Sequence, residues 1–286
     1  MHQLLATLRR YGIRLNKRSG QAHVIDPSLL MRMVDYADIS PGDLVLEIGA
    51  GIGNLTRLLA KRAGRVIAVE RDAKLFRVLK DRLRDFENIE LVNADILRME
   101  LPRFNKVVAN LPYAISSDVT FKLLEQDFEL AVLMYQREFA QRLMARPGSK
   151  DYGRLTVGVY YRAEVELLEE VKPSAFFPKP KVSSAVVRLR PRSPPFQVVD
   201  EALFFNVVRA LFQHKRQKVR NALFHSFNEV FSQPRSKPER RRIVDETIPK
   251  DLANSRVMDL TPEELGSISN YIASSLGNPR AWAAPA

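Results

Sequence analysis

Cysteine is absent from the 286 residues, which excludes disulfides, thiolate metal ligands and thiol nucleophiles. That absence argues against a secreted domain stapled by cross-links and places the chain in a reducing compartment, the cytoplasm. No metal site is expected. No apolar run approaches the roughly 18 residues of a membrane span. The N-terminus, with Arg9, Arg10, Arg14, Lys17 and Arg18, lacks the apolar core of a signal peptide. Acidic residues are the scarcer charge: 33 Asp and Glu face 45 Lys and Arg, for a net charge of +12. Such a field attracts polyanions, so nucleic acid is the first partner to test. Charge alone also suits plain solubility or an acidic membrane surface, and its placement along the chain has to decide.

What is present is the ordinary mixture of a folded domain, with 45% hydrophobic and 27% charged residues. The length allows one large domain or a catalytic domain with an appendage, at about 100–200 residues per domain. A basic arm at 1–23 leads, past Asp26-Pro27-Ser28, into an amphipathic helix over Leu29 to Ala37. Short apolar runs then alternate with helical spacing. Strands are predicted at Leu44 to Ile48, Val66 to Val69, Ile89 to Val92, Lys106 to Ala109 and Leu130 to Tyr135. Helices are predicted from Asn54, around Ala73 to Leu83 and near Val119 to Leu124. This alternation predicts an α/β fold with a mostly parallel sheet covered on both faces. Val157 to Tyr161 and Val182 to Leu189 read as two further strands joined by a proline-stiffened connection. Pro191, Pro194 and Pro195 mark a boundary, giving a catalytic domain at 24–192 and an all-helical domain at 193–286. The helices of the latter lie near Ala202 to Phe212, Lys215 to Phe227, Glu239 to Val244 and Pro262 to Leu276.

The sharpest local signal is Glu47-Ile48-Gly49-Ala50-Gly51-Ile52-Gly53-Asn54 at a strand-to-helix junction, with Glu70 at the end of the next strand. Glycines let the backbone turn sharply and approach a ligand, and a carboxylate at that position accepts ribose hydroxyls, so the pair reads as an adenosine site. A nicotinamide cofactor makes the same demands, but its fingerprint is G-x-G-x-x-G, whereas the third glycine here comes one residue early. S-adenosylmethionine, which has no pyrophosphate to cradle, fits better. Tight strand–helix packing is the plain alternative for a lone glycine turn. Asp95 ends the third strand, where it suits the cofactor's adenine amine, although a turn cap is the commoner role of such an Asp.

At the end of the fourth strand stands Asn110-Leu111-Pro112-Tyr113. Ligands of open α/β sheets bind outside the carboxyl ends of the strands, which puts this tetrapeptide beside the cofactor. An adenine amine is a poor nucleophile because its lone pair is delocalised into the ring. The Asn110 amide oxygen and the Leu111 carbonyl, accepting its two N–H bonds, make that lone pair more available. Pro112 fixes φ and Tyr113 offers a face for stacking a flipped base. An ordinary turn uses the same residue types.

These motifs, together with Gly20-Gln21, Asp26, Tyr152-Gly153-Arg154-Leu155 and Pro173-Ser174-Ala175-Phe176-Phe177-Pro178-Lys179-Pro180-Lys181-Val182, resemble the small-subunit ribosomal RNA adenine N6-dimethyltransferases from about residue 15 to about 225. The resemblance implies a class I S-adenosylmethionine-dependent methyltransferase domain with a Rossmann-like, seven-stranded sheet and a small helical domain. It also implies dimethylation of two adjacent adenosines near the 3′ end of small-subunit rRNA, on a ribosomal subunit or assembly intermediate. Carried over by motif, Gln21, Ala22, Val24, Gly49, Gly51, Glu70, Asp95 and Asn110 contact the cofactor. Asn110 to Tyr113 hold the amine, and Phe176 closes the other face of the base. Ala22-His23 departs from the family pattern of a small polar residue followed by Phe, and Ser183 stands where bacterial members usually carry Asp.

Lys215, Arg216, Lys218 and Arg220, in His214 to Asn221, resemble the family's basic helix and are the expected rRNA contacts; a solvated charged face is the plain alternative. The protein is expected to act as a monomer. Other readings are a large-subunit rRNA adenine methylase, a DNA adenine methylase, for which no base-reading module is visible, a non-catalytic rRNA-binding assembly factor and, last, a dehydrogenase.

Overall fold

The computed structural model describes residues 6–7, 9–13, 22–231 and 234–277. Arg14, Lys17, Arg18 and Gln21, expected to serve as arm and cofactor residues, lie outside the described residues. The chain forms two compact units, Met1–Ala140 with Ala163–Arg192, and Gln141–Arg162 with Ser193–Ala286.

The first unit is built on seven strands: β2 Leu44–Ile48, β3 Arg65–Val69, β4 Ile89–Val92, β5 Lys106–Asn110, β6 Leu130–Gln136, β7 Ala163–Val171 and β9 Ser184–Pro191. Their order is β4-β3-β2-β5-β6-β9-β7, with β9 antiparallel to both β6 and β7 and the other pairings parallel. β2, β3, β5 and β6 are apolar and buried at nearly every position, the signature of a sheet covered on both faces. β7 alternates instead, and its Glu164, Glu166, Glu169 and Glu170 pair with Arg192, Arg188, Arg32 and Arg137. Charge on this edge discourages pairing with another chain. A separate two-stranded ribbon joins β1, His23–Val24, to β8, Phe176–Phe177, antiparallel.

The covering helices of this unit start where the sequence supplies caps. Asp26 accepts from the backbone of Ser28 and Leu29 to open α1, Pro27–Tyr36, which buries Leu29, Leu30, Met33 and Val34. After α2, Asn54–Ala60, Asp72 does the same for α3, Ala73–Arg82. α4 comes next, at Ser116–Leu124. Strand order reverses between β2 and β5, and the carboxyl ends of these two strands define the candidate site.

The opposite ends of β2 and β5 are fastened by a buried ion pair. Lys106 Nζ lies 3.1 Å from Asp43 Oδ2, with the two side chains 10% and 6% exposed. The same carboxylate accepts from Ser40 N and Oγ and from Asn105 Nδ2, while Lys106 also donates to the carbonyl of Asp38.

The second unit is helical. It holds α6 Arg154–Arg162, α7 Glu201–Phe212, α8 Val219–His225, α9 Phe227–Phe231, α10 Lys237–Thr247, α11 Lys250–Asn254 and α12 Pro262–Leu276. α5, Arg137–Leu143, begins in the first unit and ends in this one. Tyr161, Phe196, Phe204 and Phe205 form an aromatic cluster with ring centroids 5.1–5.7 Å apart.

Two expectations are corrected by the fold. Val157 to Tyr161 is not a strand but the interior of α6, and the strand lies just beyond it as β7. The β-branched and aromatic run is buried against helical partners, and that packing overrides local β preference. The catalytic domain is therefore not the continuous span 24–192. Residues 141–162 cluster with the helical unit, because Tyr152, Val157 and Tyr161 belong to its core.

Asp43→Ala leaves the Lys106 ammonium buried without its counter-ion. The expected cost is about 3–5 kcal/mol of folding stability in denaturant titration; a change below about 1 kcal/mol would show that the pair holds nothing.

Candidate active site

After β2 the chain enters left-handed backbone at Gly49 (φ 76°) and Gly51 (φ 62°), which side-chain-bearing residues rarely adopt. The turn is pinned to β3: Gly49 N and Ala50 N both donate to the Val69 carbonyl, at 2.8 and 3.2 Å. Glu70 completes it, one oxygen accepting from Gly51 N at 2.8 Å and the other from Asp72 N at 2.8 Å. Burial pushes the Glu70 carboxyl up, and the N–H groups of Asp72 and Gly51 pull it back, leaving it raised. Each oxygen keeps lone pairs for a further donor, so the expected ribose role is compatible with this structural one.

The space above each glycine is already assigned. A side chain at Gly49 would meet Pro112 Cδ at 3.7 Å and the Asn110 carbonyl at 3.9 Å, which shows how closely the β2 and β5 termini approach. At Gly51 the neighbour is His23, whose Cε1 and Nδ1 lie 3.0 Å from where a Cβ would stand. The N-terminal ribbon thus seats on the glycine turn.

Asn110 closes β5, and its Nδ2 donates to the Ala22 carbonyl at 2.9 Å. Since a carbonyl only accepts, this bond fixes which end of the amide is NH2 and presents Oδ1 as a free acceptor among the described residues. Leu111 N donates to the Met134 carbonyl at 3.3 Å, tying the next peptide to β6. Pro112 has φ −59° and leads into a single 3-10 turn at Tyr113–Ile115. The Tyr113 hydroxyl is 2.7 Å from Ser184 Oγ on β9, which holds the half-buried ring in place. The tetrapeptide Asn110 to Tyr113 is therefore positioned by several elements at once: the ribbon at its start, β6 in the middle and β9 at its end.

Other candidates fare differently. Asp95 Oδ1 accepts from Leu97 N at 3.1 Å and Oδ2 meets Arg71 at 3.4 Å, so the turn-cap role is realised. The Leu97 N–H chiefly, aided by Arg71, holds its carboxyl below the usual range. Val24 is buried beside Phe176, its partner across the ribbon. Phe176 is only 2% exposed, so in this conformation it offers no open face to a base. It belongs to the core cluster that also holds Val24, Val171 and Val186, and Phe177 packs on the side of Ile52, Leu75 and Val78.

In the helical unit the basic run does not open a helix. Lys215 to Lys218 is held as a connecting segment by Val257 N on the Gln217 carbonyl and Met258 N on the Lys215 carbonyl, and α8 starts only at Val219. Arg216 and Lys218 are exposed, whereas the Lys215 ammonium is used internally on the carbonyls of Lys150 and Tyr152. Arg220 is half-buried, its Nε fully so.

Sequence reading gave no separate role to Glu47, although a carboxylate in the otherwise apolar Leu44-Val45-Leu46-Glu47-Ile48 is a visible signal. It is buried on β2 with Oε2 unpartnered among the described residues. Burial pushes its carboxyl up to about 8; Thr56 opposes this and Glu70 adds to it. The folded state therefore keeps a proton on Glu47 over a range where the unfolded chain has lost it, and stability falls as pH rises through that range. Glu47→Gln cannot lose a proton. The stability difference between this variant and the wild type, followed by thermal denaturation, should widen in the variant's favour from about pH 4.5 to about pH 8. A difference that stays flat across that range would refute the buried, protonated carboxyl.

Comparison with known proteins agrees with this geometry. The family described as ribosomal RNA adenine dimethylase matches residues 12–263. A probable ribosomal RNA small subunit methyltransferase A from Methanopyrus kandleri is 49% identical over 278 residues, covering 96% of this chain and 99% of the relative. The crystal structure of a dimethyladenosine transferase from Plasmodium falciparum superposes with a TM-score of 0.74 at 29% identity, covering 89% of this chain and 98% of that one. The 23S rRNA methyltransferase ErmE superposes with a TM-score of 0.63 at 30% identity, covering 87% and 99%. The seven-stranded α/β fold and the matched span agree, and the chain belongs to the ribosomal RNA adenine dimethylase family as an rRNA adenine dimethyltransferase.

Proposed function

We propose that this enzyme uses S-adenosylmethionine to dimethylate N6 of two adjacent adenosines near the 3′ end of small-subunit rRNA during ribosome biogenesis. The observation that carries the chemistry is the Asn110 amide, locked by Ala22 so that Oδ1 is left as an acceptor. The cofactor reading is supported by the polar groups beside the glycine turn: Glu70 keeps lone pairs for ribose hydroxyls, and buried Glu47 on the preceding strand has an unpartnered oxygen. When bound, S-adenosylmethionine supplies a methyl carbon activated by its sulfonium.

The chain's own residues supply position. Asn110 Oδ1 and the Leu111 carbonyl accept the two amine N–H bonds, which raises the availability of the nitrogen lone pair and favours the positive charge that develops on it. After a first transfer one N–H remains, and one acceptor suffices for the second. Tyr113 stacks on the base, and its Ser184 contact keeps the ring from rotating away. No general base is required, since the proton leaves to water once the amine is cationic. Gln21, Ala22, Val24, Gly49, Gly51, Glu70 and Asp95 keep their proposed cofactor roles, with Ala22 acting through its carbonyl. Phe176 supports the ribbon from the core and reaches a base only if the ribbon shifts.

Lys215, Arg216, Lys218 and Arg220 remain the proposed rRNA contacts, with Arg216 and Lys218 offering charge most freely. Phosphate contacts position an enzyme without reading sequence, so target choice falls to the shape of a ribosomal subunit or assembly intermediate. We place the enzyme in the cytoplasm and read it as a monomer. Among the described residues no helix is long and apolar enough to cross a membrane. The similarity to ErmE keeps large-subunit rRNA as the second reading.

Transfer of labelled methyl to unmodified small and large subunits, with mass spectrometry of the digested rRNA, tests the proposal. Dimethyladenosine at two adjacent positions near the small-subunit 3′ end is the expected result; label confined to large-subunit RNA would overturn the substrate. Asn110→Ala should lower the rate by about 100-fold or more while cofactor binding is kept, whereas Tyr113→Phe should retain most activity. Charge reversal at Arg216 and Lys218 together should weaken subunit binding and flatten its salt dependence; an unchanged slope would move the RNA surface elsewhere.

A further inference from the structure

Ile52 is the one large side chain in the turn from Gly49 to Gly53, and it is buried in a small apolar cluster separate from the two main cores. Leu75 and Val78 of α3 complete the buried part of that cluster, and Tyr11, Ile13, Ile25 and Phe177 pack against it. Two residues of the N-terminal arm therefore share a cluster with the glycine turn, some 40 positions further along the chain.

The backbone of the turn is held from the end of α3. Arg82 donates through Nη1 to the Ile52 carbonyl, and through both Nη1 and Nη2 to Asn54 Oδ1 at 3.3 Å. The residue before it, Asp81, accepts from the Tyr11 hydroxyl. Consecutive residues at one helix end thus grip the turn and the arm. Electrostatics alone would not choose this placement. Arg82 is half-buried, burial and then the nearby Arg57 pull its pKa down, and the start of α2 carries the positive end of a helix dipole. Gly53, which opens α2, supplies no side-chain cap. A half-buried guanidinium spent on two neutral oxygens there is accounted for by the rigidity that it gives the turn.

We propose that the end of α3 is a junction through which the N-terminal arm sets the shape of the glycine turn, making Tyr11 and Arg82 positioning residues for S-adenosylmethionine. This rests on the cofactor reading proposed above. Arg82 fixes the carbonyl of Ile52 and the first residue of α2, while Tyr11 braces α3 through Asp81 and packs on the cluster that holds the Ile52 side chain. A turn fixed before the ligand arrives loses less freedom on binding, so the arm contributes to affinity through the turn.

The test uses the whole protein and S-adenosylmethionine itself. Arg82→Ala should weaken S-adenosylmethionine binding in calorimetry by about 5-fold or more, and Tyr11→Ala by about 3-fold. With saturating cofactor, kcat and the KM for the ribosomal subunit should stay close to wild type, a split that general destabilisation does not produce. Arg82→Lys, which keeps a donor for the Ile52 carbonyl, should recover part of the loss. The double variant should lose less than the product of the two single effects, because both loosen the same turn. Hydrogen exchange, read without any ligand, should be faster at Gly51 to Asn54 in both single variants. If either alanine variant fails to fold, Arg82→Lys and Tyr11→Phe, which keep most of the packing, carry the same comparisons. Unchanged affinity in both variants, or strictly independent effects, overturns the junction and leaves the cofactor reading intact. Failure of the wild type to bind S-adenosylmethionine removes the cofactor reading and the positioning role with it, while faster exchange at the turn would still support the link between arm and turn.

Discussion

Everything at this site hangs on the close approach of two backbone segments at the point where strand order reverses. β2 and β5 are neighbours in the sheet, but the connections from them run to opposite sides of it, and a crevice opens at their carboxyl ends. Gly49 brings the first strand's exit to within 3.9 Å of the Asn110 carbonyl, measured from where its side chain would begin. A side chain there would make only ordinary contact with Pro112, but the left-handed turn would be strained. Once that approach is made, the glycine turn and the Asn110 to Tyr113 tetrapeptide are adjacent by construction. The Asp43–Lys106 pair keeps the same two strands in register at their other ends.

Polar groups around the crevice are held in states that water would not favour. Glu47 retains its proton because burial outweighs the help of Thr56, Glu70 is drawn in both directions, and His23 stays neutral. These are costs to the fold by itself, which the proposed cofactor would offset by supplying donors and acceptors. Preorganisation of this kind is typical of sites whose catalysis is positional, since dipoles fixed before the reaction need no reorganisation during it.

The helical unit shows a different logic. Its core draws on a chain segment, residues 141–162, that is separated in sequence from the rest by β7, β8 and β9. Aromatic contacts between Tyr161 and Phe196, Phe204 and Phe205 join the separate pieces, so the core of the unit is drawn from both. Within it, a basic run that looks uniform in sequence divides into exposed charge at Arg216 and Lys218 and a structural ammonium at Lys215.

The alternation of buried strands with capped helices determined the α/β fold, because each signal is local: Asp26 and Asp72 each cap the helix that begins one residue later, and the apolar runs of β2, β3, β5 and β6 have no soluble alternative. Glycine spacing, Glu70 and the Asn110 to Tyr113 tetrapeptide were legible for the same reason. The Val157 to Tyr161 run was misread because β preference is a local tendency that helical packing overrides, and the unit boundary moved with it. Phe176 likewise carried a motif but not its own burial. Only the tertiary structure decided that Ala22 orients Asn110 from 88 positions away, that Ser184 holds Tyr113, and that His23 occupies the space above Gly51. Such contacts join segments distant in the chain, and no periodicity or spacing encodes which side chain will meet which backbone atom across a sheet.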